Sequence, residues 1–315
     1  MSLYNIINWL LSGDVSIQYQ VHRDLLRTER KYLRSRIAKE GWGKMFLSKQ
    51  RPDGHWGLKF YQPKWTSTHY TLLDLKNLAI DPDINSINTI LTKILKEEKA
   101  SDGGVNPIGT VKVSDVCLNG MFLNYASYFK SDPEELKSVV DFVLTETMTD
   151  GGFNCWSNRS GASHSSLHTT LSVLEGIDEY RKNGYTYRLD ELTKAESTSR
   201  EFILMHHLYK SDKTGMVIKK DFLRMPYPCR WRYDILKAMD YFQCSGSPWD
   251  NRMYDATRHL ITKRNKQQTW NLQAPYPGKI HFEMETVGQP SRWNTLRMLR
   301  ILKAYNPNLF QQYMQ

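Results

Sequence analysis

Cysteine is scarce in this chain: four in 315 residues, at Cys117, Cys155, Cys229 and Cys244. A disulfide-built scaffold is therefore excluded, and each thiol reads as a buried small side chain or a metal ligand. No apolar run approaches 18 residues and mean hydropathy is −0.58, so no membrane-spanning helix is expected. The first residues, MSLYNIINWLLSGDVS, lack a positive n-region and a small-residue cleavage site. They read as a helix rather than a secretory signal, and a cytoplasmic location is expected. Alternating runs bounded by hairpin dipeptides are absent, which leaves little room for a sheet. Linkers and low-complexity segments are also missing, so one domain over residues 1–315 is expected. Acidic residues are in the minority, 33 against 43 Lys and Arg, giving a formal charge of +10. Such a balance favours phosphate or nucleic acid as partners, or serves only as a solvated basic surface.

What the chain does contain is a repeat. Asp-Gly pairs occur at Asp53-Gly54 in KQRPDGHWG, Asp102-Gly103 in KASDGGVNP and Asp150-Gly151 in MTDGGFNCW, 49 and 48 residues apart. A fixed period in this range marks repeat architecture. Each unit has a helical stretch, an Asp-Gly turn, a loop of roughly ten residues and a second helix. In the second helices Leu167, Leu171, Leu174 and Ile177, or Ile235, Met239 and Phe242, recur at helical spacing. Two later units keep the helix and lose the Asp-Gly pair, although NKQQTWNLQ retains Trp270. A helical hairpin cannot bury its face alone, so neighbours must stack. The expectation is an all-α fold of about five to six helical hairpins over residues 41–305, with residues 1–40 as an N-terminal helical extension. Periodicity leaves open a solenoid or a closed ring.

The first unit, Gln50-Arg51-Pro52-Asp53-Gly54-His55-Trp56, resembles the QxxDGxW repeat of the squalene cyclase and protein prenyltransferase β-subunit superfamily, the α/α toroids. The second and third units are degenerate copies, with Lys99 and Thr147 for the glutamine and Val105 and Phe153 for the tryptophan. The resemblance covers residues 40 to 305. It implies a toroid in which the Asp-Gly turns pin helix-to-loop corners rather than carry chemistry. It also implies an enzyme acting on an apolar, isoprenoid-like substrate in an aromatic central cavity, consistent with nine Trp and eighteen Tyr. The DxDD acid of the cyclases is missing, and DPD at Asp81–Asp83 and Asp234 are poor substitutes.

The prenyltransferase β-subunits bind zinc through an Asp-x-Cys pair and a later histidine. By position, that resemblance assigns zinc ligands to Asp115 and Cys117 in SDVCLNG and to His168 in HSSLHTTLSVLEG. Cys155 and His164 lie in the same loop region and are candidates for a fourth ligand or an outer hydrogen-bonding partner. Thiolate, imidazole and carboxylate suit zinc, and three protein ligands leave one position open. Alternatively, Asp115 is a helix N-cap, Cys117 a small buried side chain and His168 a core histidine. A third cluster is C-terminal. Arg230, Trp231, Arg232 and Tyr233 precede one helix, and Arg292 and Trp293 open another; such residues at a ring mouth could hold an anionic or flat ligand. Asp234 and Glu283 are the candidate acids, because a carboxyl in a low-dielectric cavity keeps its proton. Two other function classes remain: a non-catalytic toroid holding a lipid or peptide, and, less favoured, a basic helical solenoid binding nucleic acid with strong salt dependence.

Overall fold

The three Asp-Gly pairs form matching corners in the computed structural model, which describes residues 4–314; residues 1–3 of the expected N-terminal extension, and Gln315, lie outside the described residues. Gly54, Gly103 and Gly151 take φ of +88°, +89° and +92°, a region that suits residues without a Cβ. The aspartates close the loops. Asp102 accepts from the Ser114 backbone and hydroxyl at 2.7 Å each, and Asp150 accepts from the same groups of Ser165. Asp53 accepts from the His55 N–H at 3.0 Å. Gln50 donates to the carbonyls of Gly54 and Ser86, tying its corner to the start of helix Asn85–Glu97.

The elements in chain order are α1 (Tyr4–Leu11), α2 (Val15–Gln20) running into a π turn (Val21–Leu25), α3 (Lys31–Ile37), α4 (Gly41–Leu47), α5 (Thr68–Asn77), α6 (Asn85–Glu97), α7 (Val116–Tyr128), α8 (Pro133–Thr145), α9 (Ser157–Ser160), α10 (Leu167–Lys182), α11 (Leu189–Met205), α12 (Ile235–Cys244), α13 (Tyr254–Thr262), α14 (Arg292–Tyr305) and α15 (Pro307–Gln311). Two short strands, Trp270–Asn271 and Pro290–Ser291, pair antiparallel. The chain is thus all-α.

Burial alternates along it. Helices α5, α7, α10, α12 and α14 are enclosed over most of their surface, whereas α6, α8, α11 and α13 bury one face each. Helix α7 packs on α5 and, most closely, on α10; α12 packs on α14. Lys237 of α12 meets Glu175 of α10 at 3.1 Å. Gln20 donates to the Asn77 carbonyl at the end of α5. Helix α14 also packs on α2 and its π turn, where Arg300 meets Asp24 at 2.5 Å and Gln20 at 2.6 Å. Contacts therefore run from α2 through α5, α7, α10, α12 and α14 and back to α2.

One link recurs between the loops and the buried helices. The N–H groups of Trp56, Val105, Phe153 and Trp270 donate to Thr68, Asn119, Thr170 and Thr295 respectively, at 2.7 to 3.2 Å. Trp56 and Trp270 also send their indole N–H to a carbonyl ten residues back, on Phe46 and Leu260, at 2.7 Å each. The unit around Trp270, which has no Asp-Gly pair, thus builds the same corner as the first.

Candidate metal group, mouth and central cavity

Asp115 caps α7, its Oδ1 accepting from the Leu118 N–H at 3.2 Å. The cap fixes the carboxylate beside Cys117, two residues on. The same oxygen accepts from the thiols of Cys117 at 3.1 Å and Cys155 at 3.0 Å. Cys155 sits on the loop after the third Asp-Gly corner, and its sulfur accepts from the Cys117 N–H at 3.1 Å and lies 3.3 Å from the Thr169 hydroxyl. One ligand atom from each of Asp115, Cys117 and Cys155 lies within 4.8 Å of the others, and all three residues are half-buried. This is a group able to hold a metal ion. The thiol hydrogen bond to Cys155, burial and the adjacent carboxylate push the Cys117 thiol well above its usual range. A cation reverses that preference, since a coordinating thiol is deprotonated outright. Arg159 faces the other carboxylate oxygen at 3.4 Å.

His168, the expected third ligand, is not part of this group. Successive helical residues point about 100° apart, so Thr169 reaches Cys155 while His168 turns to the α12 side. Its Nδ1 accepts from the Tyr233 N–H at 2.8 Å, and its ring lies 5.3 Å from Phe222 and 5.2 Å from Trp231. Burial, followed by Lys219 and Arg232, lowers its pKa to about 3, so the ring is neutral. His164 is exposed and contributes only its carbonyl, to Asn154.

The C-terminal candidates separate. Trp231 and Arg232 join the α7–α10 end of the molecule. Arg232 stacks on Trp231 at 4.7 Å and Tyr276 at 4.0 Å, and Lys64 lies 5.2 Å over Trp231. Lys64 also feels the charges of Cys117 and Asp115, although burial is the larger effect and lowers its pKa. Tyr61 feels the same group; its phenol is raised first by burial. These residues form a cationic and aromatic mouth beside the thiols. The indole N–H of Trp231 and the Arg232 Nε are buried there without partners among the described residues. Tyr233 is core, its hydroxyl bound to the Leu208 carbonyl. Asp234 is a buried N-cap whose Oδ1 accepts from the Lys237 N–H at 2.7 Å; burial raises its pKa. Glu283 is exposed. Arg292 points to the N-terminal helices, lying 4.6 Å over Trp9, and Trp293 stacks between Trp42 and Tyr227.

A cavity of about 660 Å³ opens between the buried helices. Its lining comes mainly from the C-terminal halves of α5, α7, α10, α12 and α14 and from the π turn. Cys117 and Tyr128, eleven residues apart on α7, are separated by about 16 Å of helix rise, so the thiol group and this cavity occupy opposite ends. The lining is charged rather than aromatic, with nine Lys or Arg and five Asp or Glu. Most charges are matched: Lys76 with Glu179 at 2.9 Å, Lys182 with Asp178 at 2.6 Å, Arg297 with Asp240 at 3.0 Å and Arg300 with Asp24. Arg230 lines both this cavity and a smaller one of about 50 Å³, where it lies 3.9 Å from Asp74. Asp74 is buried, its Oδ1 has no partner among the described residues, and burial, partly offset by Arg230, raises its carboxyl to about 6. Sequence reading missed Asp74 because a single acid in THYTLLDLKN has no motif around it.

No family model matches the chain, and no curated protein matches it.

Proposed function

We propose that this chain is a closed α/α toroid of the prenyltransferase and squalene cyclase kind, and a zinc-dependent enzyme. Asp115, Cys117 and Cys155 would hold the metal. The single observation that carries the reading is the convergence of two thiols and a carboxylate within 4.8 Å, a donor set that suits zinc and leaves a fourth position open. When bound there, zinc supplies Lewis acidity toward a thiol or water. The protein's own residues set what can approach. Arg159 faces Asp115, Lys64 lies within reach of its charge, Arg232 adds a further cation on the rings, and Trp231 and Tyr276 offer ring faces. The mouth suits a substrate with an anionic group attached to an apolar or flat portion, the class to which isoprenoid diphosphates belong. His168 acts as a positioning residue: it accepts from the Tyr233 N–H and packs at a tilt against Trp231. The test is elemental analysis of protein prepared without chelator and reconstituted with zinc. About one zinc per chain is expected, lost in Cys117→Ser and Cys155→Ser and kept in His168→Ala. Protein that takes up no zinc, or a Cys155→Ser variant that keeps it, ends the proposal.

The charged cavity favours a second reading, a toroid that binds a polar ligand without acting on it. Lys and Arg outnumber Asp and Glu there, so a small anionic molecule is the ligand class it suits. Thermal stabilisation by diphosphates, abolished in Arg297→Ala but not in Cys117→Ser, would favour this reading.

A further inference from the structure

The connection between α11 and α12 carries a short hairpin. Lys210 pairs antiparallel with Val217, Ser211 donates to the Met216 carbonyl at 2.8 Å, and Ile218 donates to the Tyr209 carbonyl at 3.0 Å. Gly215, at φ +68°, turns the tip. Met216, Val217 and Ile218 are 71%, 41% and 40% exposed. Successive side chains of an extended segment point to opposite faces, so Met216 stands out most and Val217 and Ile218 each leave part of their surface open. Lys213, Lys219 and Lys220 flank the three and are exposed, and among the described residues none has an ion-pair partner. The base of the hairpin is held firmly. Lys210 pairs with Asp255, and Phe222 is buried 5.0 Å from Tyr233.

An apolar tip with Lys213 before it and Lys219 and Lys220 after it, against one nearby exposed acid, Asp212, that no Lys or Arg pairs among the described residues, matches the boundary of an anionic bilayer. The aliphatic side chains would sit below the headgroups and the ammonium groups among the phosphates. We propose that hairpin 209–218 docks this protein on anionic lipid. The lysines on both sides of the tip argue for an anionic bilayer as its partner. Docking would also orient the mouth. Phe222 lies against His168, and the next residue, Thr169, touches Cys155, so the thiol group opens on the end of the molecule that carries the hairpin. The proposal does not depend on metal binding.

The test is flotation of the purified chain with vesicles of phosphatidylcholine alone, or with about one lipid in three replaced by phosphatidylglycerol. Binding is expected to the anionic vesicles, weakened about fivefold by each of Lys219→Ala and Lys220→Ala. The double variant Met216→Asp, Ile218→Asp should lose binding by at least about tenfold, and the single Met216→Asp, at the most exposed position, should weaken it with an unchanged melting temperature. Three results would overturn the proposal. The first is no flotation at low salt. The second is undiminished flotation of the double variant, which would leave bulk charge as the cause. The third is a dimer in gel filtration that the double variant dissolves, which would give the tip to a second copy of the chain.

Discussion

Replacing Gly120 by alanine should destabilise the protein, against the intrinsic preference of a helix. In an isolated helix the change is favourable by about 1 kcal/mol, because glycine has more backbone freedom to lose. Here α7 crosses α10 backbone to backbone. A Cβ at Gly120 would lie 2.7 Å from the Val173 nitrogen and 2.8 Å from the Ser172 carbonyl carbon and oxygen. On the facing helix, a Cβ at Gly176 would run into the Gly120 carbonyl. Backbone atoms in hydrogen-bonded helices cannot rotate away as a side chain can, so the helices must part by a good fraction of an ångström. Overpacking of this kind costs about 1–3 kcal/mol and sometimes more. Parting also strips contacts along the closest helix pair in the molecule. A net loss of about 2 kcal/mol is expected after the helix preference is subtracted, and with it a fall of roughly 3–4 °C in melting temperature by circular dichroism. Gly109→Ala, where a Cβ would meet nothing within 4 Å, is the control and should move the midpoint by less than about 1 °C. Because α7 carries Asp115 and Cys117 while α10 carries Thr169, the same change should weaken zinc uptake. A Gly120→Ala protein as stable as the parent, or more so, would refute the close crossing.

Other outcomes follow from the buried charges and corners. Asp74 has a carboxyl raised from its ordinary value to about 6, so it contributes stability below the unfolded value near 3.8 and loses it as pH climbs through 6. That amounts to roughly 3 kcal/mol at neutral pH. Asp74→Asn should therefore raise the melting temperature at pH 7.5 and do little at pH 4; equal effects at both would contradict this. Asp24 moves the other way: burial opposes, but Arg300 and Arg23 together lower it to about 2. Its contribution is present above about 4 and fades as pH falls toward 2, so Arg300→Ala should cost about 2 kcal/mol at pH 7 in urea unfolding and much less at pH 2.5. Trp56→Phe and Trp270→Phe each leave a buried carbonyl, on Phe46 and Leu260, without its indole donor. Each should lose about 1–2 kcal/mol, and a marked inequality would mean that the two corners are not equivalent.

The helical class and the Asp-Gly corners were legible because turn chemistry is local: glycine at positive φ beside an aspartate leaves a readable mark. The corner bonds of Thr68, Asn119, Thr170 and Thr295 were not, since threonine and asparagine serve as acceptors interchangeably and share no letter pattern. Asp115 and Cys117 were readable as neighbours on one helix. Their partner Cys155 was weighed only as an extra, because a loop cysteine's direction depends on the fold around it. His168 drew attention by its place in the repeat, yet the angular step between adjacent helical residues sends it to Tyr233. The charged cavity left no trace in the sequence, as its residues come in small groups from six segments spread between Gln20 and Ala304.

Arg300 and Lys303, near the end of the chain, hold Asp24 and the carbonyls of Asp24 and Leu25 near its start. The first helices must therefore wait, during synthesis, for a partner made more than 270 residues later. Until then α2 has α3 and the end of α5 to lie on, while its α14 face stays open. The same junction should be the first to part when the folded protein loosens, with amide exchange fastest in α1, α2 and the last turns of α14.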